Sequence, residues 1–452
     1  MRIHVSAIYS MLFAAFAEED RVHAKSIPAW DNNAAQVTPN TSSESILRSK
    51  IPKASITRHL DTLDPTQTYR YKKLGNNLEC EGDEDELGKS KFFGSAVAIS
   101  GDGTLVAVGS RGDYGYKGSV FVFQYDASAL QWTQFGQRIL GESGGDFSGT
   151  SLSMSKDGSR LVVGAPENGI RAAYYGHMRV YEYNSISGQW SQMGSDLDGE
   201  NKNDNAGTSV TISGDGSRVA MGAPRSDSTT TTESDVGSVL IFSFDGSNWV
   251  ASGNVIESED RAYLGGSIAL SYNGTRVVVG GTAYTPPTTG ASLSNAGSVS
   301  VYDFDSVGSA WVQAGEIING IGYYDRFGSD VDISYDGTRI VVGAYTSDGP
   351  DLDRNNIGQA TAYQQDTNSA KWIQIGQIIN GEQEDDYLGS SVTISGDGNV
   401  IAVGAPGNDD NEGNSGEVEM YQYIQAEDEW RQIGFDLGGK SFTLIFSCVI
   451  SS

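Results

Sequence analysis

The chain alternates apolar and polar residues in short runs joined by tight turns, and it repeats this pattern six times. The first copy, residues 93–109, reads FGSAVAISGDGTLVAVG. The equivalent glycines are Gly94, Gly149, Gly207, Gly265, Gly328 and Gly389, with spacings of 55, 58, 58, 63 and 61 residues. A unit of this length cannot bury both of its own faces, so we predict that the units stack on one another.

Each unit is predicted to form four antiparallel strands. In the first unit these are residues 96–100, 105–109, 119–125 and 132–139, which show period-two alternation and β-branched or aromatic residues. Asp-Gly or Asn-Gly in the first turn of every unit favours a tight hairpin. The fourth strand carries a recurring tryptophan, which we interpret as packing between units: Trp132, Trp190, Trp249, Trp311, Trp372 and Trp430. Repeated four-stranded units are typical of a β-propeller.

Both ends of the chain add to this pattern. Residues 71–81 match the fourth strand of a unit, and residues 442–450 could supply another strand. We therefore predict an all-β propeller of four-stranded antiparallel blades, with six complete blades and a partial seventh built from both chain ends. Cys80 and Cys448 would then lie in one blade. They would either form a disulfide or remain two unpaired thiols, and the sequence leaves both alternatives open.

The repeat array spans residues 70–440. Residues 1–17 resemble a secretory signal, with a weakly positive start, an apolar run and a small-x-small end, so we expect a secreted or cell-surface protein. An uncleaved anchor and no signal at all are the alternatives. Residues 18–69 lack periodicity and are predicted to be a flexible leader. Residues 441–452 form a C-terminal strand or a tail.

Charge and composition limit the functions to consider. The chain has 30 Lys and Arg against 58 Asp and Glu, a net charge of −28, which argues against nucleic acid as a partner. The charge suits a highly soluble surface, a cationic partner or divalent cations. We expect a monomer. Two cysteines exclude a disulfide-dense scaffold and a cysteine zinc cluster. Only His177 of the four histidines falls within the repeats, so no histidine-rich metal site is expected.

Two short motifs carry a resemblance to a known family. Phe-Gly stands at 93–94 and 327–328, and Gly-Ala-Pro at 164–166, 222–224 and 404–406. The array resembles the FG-GAP repeat, which builds the β-propeller of integrin α subunits and of many secreted bacterial and algal proteins. The resemblance implies an extracellular adhesion or ligand-binding propeller.

Integrin propellers carry calcium in several first hairpins, and this chain departs from that motif. Only one copy, with Asp332, Ser334 and Asp336, keeps three oxygen-bearing side chains, and it lacks the closing acid. A nearby loop adds Asp351 and Asp353. These five residues are our candidate calcium ligands, and an ordinary hairpin and a solvated acidic loop are the alternatives.

Other acidic residues suggest structural roles. An aspartate precedes the anchor glycine in five units, and such repetition predicts caps for turn N–H groups at Asp146, Asp204, Asp260, Asp325 and Asp386. Residues 111–113 spell Arg-Gly-Asp, the tripeptide displayed by integrin ligands, in a loop where exposure is expected.

The leading functional hypothesis is a non-enzymatic propeller that binds a protein or glycan through loops on one face. The long loops are residues 225–236, 281–296 and 345–357. The alternative is a carboxylate-based glycan hydrolase or lyase, for which Asp330 and Asp332 are the only first-strand acids in the array. A purely structural scaffold is the third hypothesis. No membrane span is expected beyond the N-terminal signal.

Overall fold

A computed structural model describes residues 74–78, 92–169, 174–258, 260–286, 293–349, 355–409, 415–434 and 436–438. The described part is all-β apart from one short helical turn, α1 (Asp113–Tyr116). None of its helices is long and apolar enough to cross a membrane.

The strands form six antiparallel sheets, one for each repeat. The first three blades contain β1 (Phe93–Ile99), β2 (Leu105–Ser110), β3 (Ser119–Asp126), β4 (Gln131–Gln134), β5 (Ile139–Leu140), β6 (Ser151–Met154), β7 (Arg160–Ala165), β8 (His177–Asn184), β9 (Gln189–Gln192), β10 (Leu197–Asp198), β11 (Ser209–Ile212), β12 (Arg218–Ala223), β13 (Ser238–Phe244), β14 (Trp249–Ala251) and β15 (Ile256–Glu257). The last three contain β16 (Leu264–Leu270), β17 (Arg276–Gly281), β18 (Ser298–Asp305), β19 (Ala310–Gln313), β20 (Ile318–Asn319), β21 (Val331–Ile333), β22 (Arg339–Ala344), β23 (Gln359–Gln365), β24 (Trp372–Asn380), β25 (Ser391–Ile394), β26 (Val400–Ala405), β27 (Glu417–Ile424) and β28 (Glu429–Gln432).

The fourth strand is broken in the first four blades, which corrects the prediction of one continuous strand. In the first blade β4 ends at Gln134, and the short β5 then pairs again with β3. Gly136 lies between them with a φ of +79°, a left-handed conformation that glycine adopts without strain. The residues between β4 and β5 let the chain bend, while β4 and β5 both keep their pairing with β3.

Both faces of each blade are apolar, and the neighbouring blades bury them. On β7, Val162 packs with residues of the third blade, while Leu161 and Val163 pack with residues of the first. The inner strands contact one another in order, β1 with β6, β6 with β11, β11 with β16, β16 with β21 and β21 with β25. The six blades therefore share one stacked core and form a β-propeller, as predicted.

The repeated tryptophan joins each blade to the preceding one. The Trp190 indole Nε1 donates to the carbonyl of Phe135 at 3.1 Å, and the Trp430 Nε1 donates to the carbonyl of Ile375 at 2.9 Å. The same bond recurs at Trp132, Trp249, Trp311 and Trp372. A glycine follows each acceptor residue and lies against the indole, which confirms the packing role predicted for these tryptophans.

Residues 74–78 lie where the fourth strand of a preceding blade would lie. The carbonyl of Leu74 accepts from the Trp132 Nε1 at 3.0 Å, and the Asn76 Oδ1 accepts from the Trp132 N–H at 2.7 Å. Gln137 makes the equivalent bond to Trp190 at 2.8 Å. The rest of the predicted partial seventh blade is not confirmed, since Tyr71, Cys80, Cys448 and residues 442–450 lie outside the described residues. So do residues 1–17, 18–69 and 441–452.

The aspartates that precede the anchor glycines cap turns, as predicted for most of them. The Asp146 carboxylate accepts from the backbone N–H of Ser143 at 2.6 Å. Asp204, Asp325 and Asp386 accept from the backbone N–H groups of Asn201, Gly322 and Gln383 in the same way. Asp260 is exposed. A recurring acid therefore serves the turns between blades, and its repetition needs no catalytic explanation.

The indole contact predicts a position-specific cost for a methyl group. In Gly376→Ala the new Cβ would lie 2.5 Å from the Trp430 Cδ1, at a φ of +66°. Gly115→Ala is the matched control, because Gly115 has a φ of +69° and nothing within 4 Å of the added atom. We expect Gly376→Ala to lower the free energy of unfolding by about 1–3 kcal/mol more than the control. Urea denaturation of both variants measures this, and equal losses would show that the indole tolerates displacement.

Candidate functional site

The strand order gives the propeller two different faces. Because the strands are antiparallel, the turns between strands one and two and between strands three and four lie at one end, here named the hairpin face. The loops between strands two and three and the connections to the next blade lie at the other end, here named the loop face. The three long loops singled out in the sequence all belong to the loop face.

The structure does not bring the candidate calcium ligands together in one site. The Ser334 hydroxyl donates to the Asp336 Oδ1 at 2.7 Å, so these two residues are brought together in one hairpin turn. The Asp332 carboxylate instead accepts from the Thr393 hydroxyl at 2.8 Å and from the Ile394 N–H at 2.9 Å in the next blade. Asp351 and Asp353 lie outside the described residues. The calcium site therefore stays a prediction.

The Ser334–Asp336 turn is one of six equivalent turns on the hairpin face. Asp336 also accepts from the Thr338 N–H at 2.9 Å, and Ser334 accepts from the Arg339 N–H at 3.0 Å. In the fourth blade Asn273 fills the same place and accepts from the Ser271 hydroxyl at 3.1 Å. A neutral amide thus replaces the carboxylate, so the turn needs only an oxygen acceptor.

The two first-strand acids considered for catalysis join three blades. The Asp330 carboxylate accepts from the Ser267 hydroxyl of the fourth blade at 2.9 Å and from the Val392 N–H of the sixth at 2.8 Å. Burial raises the pKa of Asp330 to about 7, and the neighbouring Asp332 charge adds to the rise. Their hydrogen bonds give Asp330 and Asp332 a structural role between the inner strands.

The centre of the propeller is covered at the hairpin face. The Lys156 Nζ lies 4.1 Å from the ring centroid of Tyr335 and 5.6 Å from that of Tyr272. Lys156 belongs to the second blade and Tyr335 to the fifth, so this contact spans the centre of the ring. Burial lowers the pKa of Lys156.

Exposed aromatic residues concentrate on the loop face. In the described part of the chain, six of the seven strongly exposed phenylalanines and tyrosines lie there: Phe92, Tyr114, Tyr174, Tyr175, Tyr323 and Tyr324. Only Tyr272 is on the hairpin face. Single exposed aromatics are ordinary, but here most of them share one face.

One group of neighbouring aromatic side chains on the loop face is here named the tyrosine cluster. It comprises Tyr323, Tyr324, Tyr345, Tyr387 and Arg326. The Tyr323 and Tyr324 rings are 4.4 Å apart by centroids, and Tyr323 is 59% exposed. The Arg326 guanidinium lies 5.6 Å from the Tyr345 ring, which is 6.3 Å from the Tyr387 ring. The cluster thus extends over the connections of the fifth and sixth blades.

Backbone contacts fix the tyrosine cluster against two of the long loops. The Tyr324 N–H donates to the carbonyl of Ser294 at 3.0 Å, and the Tyr324 carbonyl accepts from the Thr346 hydroxyl at 2.6 Å. Ser294 and Thr346 belong to the long loops of the fourth and fifth blades. Length marks these loops in the sequence, whereas the tyrosines were not predicted; the only sign of them in the sequence is the aromatic pair ahead of the fifth anchor glycine.

The Arg-Gly-Asp tripeptide is not displayed as an integrin ligand would be. Asp113 is 2% exposed, and its carboxylate accepts from the Ser119 hydroxyl at 2.7 Å. The Arg138 guanidinium lies 3.1 Å from the same carboxylate oxygen. Because both bonds hold Asp113 inside the blade, the expectation of an exposed motif is wrong for this residue.

Sequence analysis also missed charged residues in two third strands. β8 begins His177-Met178-Arg179, and β27 begins Glu417-Val418-Glu419, where other blades have serine, glutamine, threonine or apolar residues. Burial raises the pKa of Glu419 to about 7, and the Tyr421 hydroxyl donates a hydrogen bond to its carboxylate. The signal was the departure of these two runs from the pattern of the other blades.

Comparison with known proteins agrees with this architecture. A family model described as FG-GAP repeat matches residues 372–421. No curated protein matches the chain significantly. Among solved structures, a protein of Bacteroides uniformis ATCC 8492, provisionally named a 6-phosphogluconolactonase, is similar with a TM-score of 0.53 and 12% identity, over 78% of this chain and 87% of that one. The periplasmic gluconolactonase of Pseudomonas aeruginosa has a TM-score of 0.51 and 13% identity, over 76% of this chain and 85% of that one.

These similarities define the class of protein. At such low identity the two solved structures share only the propeller fold with this chain. The six blades show that the chain is a β-propeller, and residues 372–421 of it match an FG-GAP repeat.

The hairpin geometry predicts how the Asp336 turn responds to substitution. We expect Asp336→Asn to change the free energy of unfolding by less than about 0.5 kcal/mol, because Asn273 fills the same place in the fourth blade. Asp336→Ala removes the acceptor and should cost about 1 kcal/mol. Urea denaturation measures both. Melting curves of metal-free protein with and without added calcium should coincide, whereas a calcium-dependent rise abolished by Asp336→Asn would establish calcium at this turn.

The buried Glu419 predicts a pH dependence of stability. Its pKa rises from the ordinary 4.5 to about 7 in the folded chain, so the folded state holds the proton more tightly than the unfolded state. This stabilisation is present below pH 4.5 and is lost as the pH rises to about 7. At pH 8, Glu419→Gln should be more stable than the wild type by about 1–3 kcal/mol.

Urea denaturation at pH 5 and pH 8 tests this. Glu233→Gln, which changes an exposed side chain, is the matched control. The pKa of Asp330 is also raised, but Asp330 contributes equally to the pH dependence of the wild type and of both variants. Equal pH dependence of Glu419→Gln and the wild type would contradict the prediction.

Proposed function

We propose that this protein is a secreted or cell-surface, non-enzymatic propeller that binds a protein or glycan ligand through its loop face. The tyrosine cluster carries this proposal. Tyrosine and arginine are the residues most often found at the centres of binding interfaces, because they combine apolar area with hydrogen-bonding groups. This composition favours a protein as the ligand.

The two faces differ in their ability to bind. On the hairpin face, the repeated serine and aspartate side chains are occupied by their own turns, and Lys156 covers the centre. On the loop face, loops of unequal length stand on a rigid scaffold, which is the usual arrangement of a binding surface. The exposed tyrosines lie among the longest of these loops.

The enzymatic alternative receives less support. A carboxylate-based hydrolase or lyase needs two acids that face a common space at a defined separation. Asp330 and Asp332 are bonded to the backbone of the sixth blade, so their oxygens serve the inner strands. The two lactonase structures share the fold at 12% and 13% identity, and the fold hosts many functions.

Removal of two exposed rings tests the proposal. Labelled full-length protein would be applied to an array of extracellular proteins and glycans. We expect the double variant Tyr323→Ala and Tyr324→Ala to lose at least about tenfold in affinity for the ligand, without a change in melting temperature. The matched control is Ile186→Ala with Val307→Ala, which removes side chains that are 97% and 95% exposed on the hairpin face.

The outcomes distinguish the possibilities. Binding that survives in the control but not in the tyrosine variant supports the loop face. Equal binding by both variants would place recognition elsewhere. A ligand that is lost after enzymatic deglycosylation of the array is a glycan, and one that remains is a protein.

A further inference from the structure

A group of three metal-ligating side chains lies where the first and second blades meet. Glu142 follows β5 at the end of the first blade, His177 begins β8, and Asp196 precedes β10. One imidazole nitrogen of His177 and one carboxylate oxygen of each acid all lie within 4.8 Å of one another. It is the only such group in the described part of the chain.

His177 points to a ligand independently of the acids. The residue is 3% exposed, and its Nδ1 has no hydrogen-bond partner among the described residues. The Asp198 Oδ1 lies 3.9 Å from this nitrogen, which is beyond hydrogen-bonding distance. A buried nitrogen without a partner is unfavourable, so a partner that accepts its lone pair would be stabilising.

Arg179 orients the two carboxylates. Its Nε donates to the Asp196 Oδ1 at 2.8 Å and its Nη2 to the Asp196 Oδ2 at 2.7 Å, while Nη2 also contacts the Glu142 carboxylate. Carboxylates that bind metal ions commonly keep such an outer hydrogen bond. The Gln192 Nε2 also donates to the Asp196 Oδ1 at 2.7 Å, so the Asp196 Oδ2, with its one bond to Arg179, is the oxygen that keeps a lone pair for an ion. With Asp198, three carboxylates and one guanidinium leave a net charge of −2, which a divalent cation would balance.

We propose that Glu142, His177 and Asp196 bind one divalent metal ion of the zinc class, between the first and second blades. One imidazole nitrogen and two carboxylate oxygens suit Zn²⁺, with water as a fourth ligand, whereas Ca²⁺ prefers oxygen ligands alone. The Glu142 side chain is 47% exposed, so the ion can enter from solvent. Because the ligands come from two blades, the ion joins them.

Titration calorimetry with Zn²⁺ on the full chain, after removal of metal by a chelator, tests this site. We expect one strong equivalent of Zn²⁺ and a higher melting temperature when it is bound. His177→Gln and Glu142→Gln should each weaken binding at least about tenfold. Glu182→Gln is the matched control, since Glu182 lies on the same strand and pairs with Arg160 instead.

Three results would overturn the proposal. The first is a wild-type chain that binds no Zn²⁺. The second is equal binding by His177→Gln, which would assign the ion to the histidines at positions 4, 23 and 59. The third is undiminished Zn²⁺ binding by Glu142→Gln. This variant changes a partly exposed side chain, so it tests the site even if His177→Gln fails to fold.

Discussion

The indole-to-carbonyl contact between successive blades is the interaction on which the rest of this propeller depends. Each blade is a small sheet with two apolar faces, so it gains stability only when neighbours cover both. The tryptophan supplies a large apolar area and one N–H group that must find an acceptor when buried. In the second to sixth units that acceptor is a carbonyl of the preceding blade, and in the first it is the carbonyl of Leu74. Each acceptor stands next to a glycine that leaves space for the ring. The contact therefore sets the spacing of the blades as well as their stacking.

This regular stacking explains why the two faces have different chemistry. The hairpin face consists of short turns that bond to themselves, and the side chains of Lys156, Tyr272 and Tyr335 cover its centre. The loop face is free to vary, because changes in the length of its loops do not disturb the indole contacts. Most exposed aromatic residues of the described chain lie there, and Tyr324 bonds to two of the long loops. The loop face can thus carry a binding function while the six blades keep the same geometry.

The acidic residues show how one residue type serves several purposes. Asp146 caps a turn, Asp336 completes a hairpin, and Asp330 connects the inner strands of three blades. Glu419 is buried with a raised pKa, while Glu142 and Asp196 flank Arg179 and His177. Part of the net charge of −28 is therefore tied to local structure, and solubility alone does not account for it. Position in the blade, and not acidity, separates these roles.

The sequence by itself determined the features that recur with its period: six blades, their hairpins, the tryptophan packing and most of the aspartate caps. These features depend on local alternation and on turn residues, which are visible in one unit and reinforced by the other five. Tertiary structure alone decided which residues of different blades meet. Asp332 looks like a hairpin ligand in the sequence, yet it bonds to Thr393 of the next blade. Lys156 reaches Tyr335 across the ring, and Glu142 reaches His177 between blades. Such contacts join residues far apart in the chain, and no local pattern encodes them because the stacking of the blades creates them.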